Sequence, residues 1–120
     1  MSDVKLAVKP AQEIESSTVD ATVENISDTV LKVKGKCTKY ELKRLANAII
    51  KTVEKHGVAH LRTVGASSSH NASKAIAIAN DFSKKDSKRP FASSPSFAKA
   101  LFNEQEKACI VHEVFQVDED

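Results

Sequence analysis

Apolar and polar positions follow two rhythms along this chain, and each change of rhythm marks the boundary of an element. Thr29 to Lys34, TVLKVK, has a period of two and predicts a strand with one buried face, its apolar content supplied by Val30, Leu31 and Val33. Gly35 interrupts it. Thr38 and Glu41 then stand at the T-x-x-E spacing of a capping box, which predicts the start of a helix of about five turns. Leu42, Leu45, Ala46, Ile49 and Val53 recur at helical spacing, while Lys43, Lys51 and Lys55 fall elsewhere on the wheel. Gly57 follows where a helix commonly ends, and Val58 to Val64 reads as a second strand.

The stretch from Val58 to Asp81 is the centre of the pattern. Its strand runs through Gly65 and the hydroxyls of Ser67, Ser68 and Ser69 into an alanine-rich helix carrying Lys74. That helix is predicted to begin within Ser67 to Ser69, which would cap it, and to reach about Phe82. Its apolar stripe is Ala72, Ala75, Ile76, Ala79 and Phe82. A strand feeding a helix through such a turn aims backbone N–H groups outward, where anions are favoured. A polar connection with Lys84, Lys85, Lys88 and Arg89 ends at Pro90. Two further runs, Pro90 to Phe102 and Glu106 to Val117, flank Asn103, Glu104 and Gln105 and predict a β-hairpin. The element order is βαβαββ.

Charge divides the chain in a way the net value of +2 conceals. Residues 1–28 hold two lysines against six acids, and residues 118–120 are all acidic. The segment between them, 29–117, holds sixteen basic residues against seven acidic ones. A small basic body is the electrostatic footprint of a phosphate-rich partner, and an acidic tail can shield it. Residues 1–28 lack glycine and aromatic residues and scatter a few Val and Ile among Ser, Thr, Asp and Glu, so they read as a mostly disordered acidic tail. The alternation from Ser17 to Ile26 is the one place in that tail where a short strand against a partner could form. No apolar run approaches the roughly 18 residues needed to cross a bilayer, and no basic-then-apolar leader opens the chain. The two distant cysteines, Cys37 and Cys109, suggest no disulfide framework. A cytoplasmic protein without membrane contact is expected.

From Thr29 to Val117 the chain resembles the stage V sporulation protein S family, which is related to the Alba chromatin proteins. The resemblance rests on TVLKVKGKC, on HGVAHLRTVGASSSHNASKAIAIANDF and on FASSPSFAKALFNEQEKACIVHEVF. It implies an α/β, Alba-like domain over residues 29–117, with a mixed four-stranded sheet, two helices on one face and assembly as a homodimer or higher oligomer. It also implies binding of DNA or RNA. By position, Lys34, Lys36 and Lys39 would form a first basic loop, and Gly65, Ser67, Ser68, Ser69 and Lys74 a second. Two departures from the Alba pattern stand out: Ala66 where an arginine would follow Gly65, and an acidic hairpin tip, Asn103 to Glu106.

Catalytic and metal readings find little footing. Ser69 and His70 are adjacent and diverge on a helix, a poor nucleophile and base arrangement. Cys109 and His112 lie three apart on a predicted strand, hence on opposite faces, with no second ligand pair nearby. Neither enzyme activity nor a cofactor is expected. Two readings remain: a nucleic-acid-binding dimer whose basic loops neutralise phosphates without base readout, or an oligomeric regulatory or assembly module that binds a protein partner through the same face.

Overall fold

The computed structural model describes residues 28–118, so the expected acidic tail up to Ser27 and the last two residues lie outside the described residues. The elements follow the expected order: β1 (Val30–Lys32), α1 (Lys39–His56), β2 (Ala59–Thr63), α2 (Ala66–Lys85), β3 (Phe91–Phe102) and β4 (Gln105–Gln116). The strands form one mixed sheet in the order β1-β2-β4-β3, with β1 parallel to β2 and the other two pairings antiparallel.

The α1 helix starts as its sequence predicts. Thr38 Oγ1 accepts from the Glu41 N–H at 3.1 Å, and Glu41 Oε1 accepts from the Thr38 N–H at 2.9 Å, closing both halves of the capping box. It ends at Gly57, whose φ of 86° is left-handed and whose N–H donates to the Val53 carbonyl at 2.7 Å. Leu42, Ala46, Ile49 and Val53 are buried at the expected spacing.

The α2 helix departs from expectation at its start. It begins at Ala66, before the three serines, and Gly65 is its N-cap with no side-chain cap hydrogen bond. Gly65 adopts φ 92° and ψ 162°, a region open essentially to glycine alone, so the backbone turns there and the serines fall inside the first turn. At the far end the helix runs on to Lys85, beyond Phe82. Asn80 then fastens the next strand: its Oδ1 accepts from the Phe91 N–H at 2.6 Å and its Nδ2 donates to the Phe91 carbonyl at 3.3 Å.

The hairpin turn is tighter than predicted. Asn103 (φ 51°) and Glu104 (φ 63°) are both left-handed and form the two-residue turn alone, while Gln105 pairs with Phe102. A turn of this hand matches the twist of antiparallel strands, which is why Gln105 joins the ladder. Pro95 lies within β3, which is tolerated because β3 is an edge strand.

One sheet face carries both helices. Val33, Ala59, Leu61, Phe91 and Val114 meet Ala46, Ile49 and Val53 of α1 and Ala72, Ala75 and Ala79 of α2. Ile49 and Leu61 are fully buried, each worth roughly 1.5–3 kcal/mol in removed apolar surface. The alanines let α2 lie close to the strands. Contrary to the expectation of a strand with one buried face, Val30 is also buried, on the opposite side of the sheet from Leu31 and Val33. All five residues of β2 are buried, as a strand covered on both faces requires.

Candidate nucleic-acid interface

The loop after β1 and the start of α2 meet through one buried side chain. Asn71 Nδ2 donates to the carbonyls of Lys34 (3.0 Å) and Gly35 (3.1 Å), tying the first basic loop to the second turn of α2. A Cβ on Gly35 would sit 3.7 Å from Ser67 Cβ, so the loop backbone runs directly against the helix start. Ser67, Asn71 and Lys74 follow the i, i+4, i+7 spacing of one helix stripe, which sets exposed Lys74 on the side that meets the loop.

Lys36 and Lys39 are exposed on this loop and at the first residue of α1. Among the described residues neither they nor Lys74 take part in an ion pair. Lys34 is also exposed, but its Nζ lies 3.2 Å from Glu41 Oε2. The Glu41 carboxyl is held below its ordinary value first by the Thr38 N–H and then by Lys34. Lys34 is thus partly neutralised by the acid that closes the α1 cap, and the three remaining lysines carry the uncompensated charge.

The three serines separate in role. Ser67 is exposed beside the loop. Ser68 is buried, and its hydroxyl donates to the carbonyls of Val64 (2.8 Å) and Gly65 (3.2 Å), so it closes the turn and offers nothing outward. Ser69 faces the other flank of α2, with its Oγ 3.2 Å from Nε2 of His112 on β4. Burial pushes the His112 pKa down, keeping a neutral imidazole at that contact. Gly65 supplies the turn that leaves the first N–H groups of α2 without a side-chain cap, and no acid lies in that first turn.

The Ser69 flank borders a cleft of about 500 Å³ lined by Thr63, Ser69, His70, Ser73, Phe97 and Ile110. Phe97 is 77% exposed there. Ser69 and His112 are a hydroxyl and an imidazole within reach, a pairing that a separation of 43 positions hides in the sequence. Among the described residues no carboxylate pairs with His112 to orient it, so the three-membered arrangement of a nucleophilic site is incomplete. Cys109 pairs with Ala98 and His112 with Pro95, on opposite faces of β4. Among the described residues no three His, Cys, Asp or Glu side chains are grouped to hold a metal ion, and no helix is long and apolar enough to cross a membrane.

A family model for stage V sporulation protein S (SpoVS) matches residues 29–117, from the residue before β1 to the residue after β4. The chain belongs to the stage V sporulation protein S family. The matched span covers every element of the sheet and both helices, so the family and the fold describe the same part of the chain. Comparison with curated protein sequences returns no match.

Sequence reasoning placed Lys34, Lys36, Lys39, Ser67 and Lys74 in two loops, and the structure brings those loops together at one edge of α2. It missed the clamp, because an amide inside an alanine-rich helix has no sequence signature of its own partner. It also missed Phe97, which reads as one more apolar position in a hydrophobic run.

Proposed function

We propose that this member of the stage V sporulation protein S family binds nucleic acid without sequence preference. Lys36, Lys39 and Lys74 contact the phosphates, while the uncapped start of α2 at Gly65 to Ser67 accepts one of them. The observation that carries the reading is the Asn71 clamp, which holds the first basic loop against the second. Cations on separated flexible loops would neutralise a diffuse counterion cloud, whereas cations fixed on one edge present a line of charge to a backbone. Among the described residues no groove-reading helix or paired stacking platform stands beside them, in keeping with contacts to phosphate alone. The acidic hairpin tip, Glu104 and Glu106, is excluded from the contact by its own charge.

The test is binding to random duplex DNA, single-stranded DNA and RNA across a salt series. Affinity should fall steeply with salt, and Lys36→Ala and Lys39→Ala should each flatten the log–log slope by about 1, the signature of one lost phosphate contact. Absence of binding to all three polymers at low salt would overturn the reading.

A second reading, an oligomeric regulatory module that takes a protein partner, is favoured by Phe97, whose 77% exposure beside an apolar cleft is costly on a monomer surface. A Phe97→Ser variant that dissociates a dimer or larger assembly in sedimentation would support it, and an unaltered monomeric mass would not.

A further inference from the structure

The second residue of α1 is a tyrosine that the core does not use. Tyr40 is 69% exposed, in the first turn of the helix and just after Lys36 and Lys39. The core takes Leu42, Ala46, Ile49 and Val53, whereas Tyr40, Arg44, Asn47 and Lys51 form the stripe on the opposite side of α1, all of them exposed. A solitary exposed aromatic residue is ordinary on a protein surface. Two features set this one apart. The Arg44 guanidinium lies over the ring, 5.8 Å from its centroid, so a cation backs one face while the exposure of the residue leaves the other open. The ring also stands among charges of one sign. Lys36, Lys39, Lys43 and Arg44 are exposed, and among the described residues none of them takes part in an ion pair. Glu41, the acid of that first turn, is already engaged by the Thr38 N–H and by Lys34.

We propose that Tyr40 stacks on an unpaired base and that the partner held at the basic loops is a single-stranded nucleic acid. An open aromatic face among cations suits a single strand, whose phosphates follow the charges while a base lies on the ring. A base inside a duplex has both faces covered by its neighbours and does not reach such a ring. One ring reads no sequence, since every base has a π-face, so binding stays without sequence preference. Arg44 and Lys51 continue the positive line along α1, and Lys51 lies about 16 Å from Tyr40 at 1.5 Å per residue. The stacking contact rests on the phosphate contacts proposed for Lys36 and Lys39, and adds to them the strandedness of the partner.

Tyr40 is the one tyrosine of a chain without tryptophan, so the intrinsic emission of the protein reports on this ring. Titration with a thymidine or a uridine oligonucleotide should quench that emission, and duplex DNA of the same length should leave it unchanged. By anisotropy of the labelled strands, Tyr40→Ala should weaken single-strand binding about tenfold and leave duplex binding as it was. Its log–log salt slope should not change, because no phosphate contact is lost. Tyr40→Phe should keep the affinity, since it keeps the ring, and both variants should retain the circular dichroism spectrum of the fold. A single strand that binds without quenching, or binds the unmodified chain and Tyr40→Ala equally, would overturn the stacking contact and leave the phosphate contacts standing. Absence of binding to every strand and duplex at low salt would overturn both.

Discussion

The two helices of this domain begin in opposite ways. At α1 the side chains do the work: Thr38 and Glu41 satisfy each other's backbone N–H groups, and the acid draws in Lys34. At α2 the backbone does it: Gly65 turns through a conformation closed to other residues, and no side chain caps the helix. A carboxylate at a helix start offsets the positive end of the helix dipole, whereas a start opened by glycine, without an acid in its first turn, leaves that end uncompensated. The difference explains how two helix starts at neighbouring points of one sheet differ in chemistry. The hydroxyl run that invites a capping interpretation is spent elsewhere, with Ser68 bonded back to the turn and Ser69 to His112.

The largest break in this comparison should come from the glycine. Nothing lies within 4 Å of a Cβ built on Gly65, so Gly65→Ala isolates the backbone term. It should cost about 1–3 kcal/mol in urea unfolding, and a loss below a few tenths would show that the turn relaxes without glycine. Thr38→Ala should cost less, about 1 kcal/mol by the same measurement, because the Glu41 side remains to hold the cap. If the two losses were equal or reversed, the contrast between a backbone start and a side-chain start would not hold.

A smaller effect should follow from pH. His112, bonded to Ser69 at the α2 start, and His60, bonded to Thr29 at 2.9 Å, are both held below their ordinary value of 6.5, chiefly by burial. Glu113, 3.8 Å from His60, offsets this only in part. A base whose folded pKa is lowered binds its proton more readily when unfolded, so stability is full above 6.5 and declines as pH falls through and below it. The melting temperature should therefore drop between pH 7.5 and 5, and His112→Gln should flatten that drop. A pH-independent melting temperature for the unmodified chain would remove the buried neutral imidazole from the α2 start.

Much of the fold was legible because local rules and tertiary needs agree there. The capping box at Thr38 and Glu41, the left-handed Gly57, the helical stripe of α1 and the two-stranded hairpin all rest on interactions a few residues apart. The candidate site was legible only in part. Its lysines stand out by charge, but Asn71 reaches carbonyls 37 and 36 positions away, and Ser69 reaches an imidazole 43 positions away. No periodicity encodes such pairs. Ser68 shows the converse: a hydroxyl placed with the ligand-facing group by its position in the chain is buried by the helix beginning earlier than its residues suggest.

The sequence by itself determined the βαβαββ order, the helix that begins at a capping box and the basic character of the body, because these follow from spacing, punctuation and count. Only the tertiary structure decided that the two basic loops share one edge, that α2 starts at the glycine, and that β2 is buried along its whole length. Those outcomes depend on which strands lie side by side and which residues meet across them. Alternation along a strand tells the two faces apart, but only the completed sheet shows which of them meets the helices.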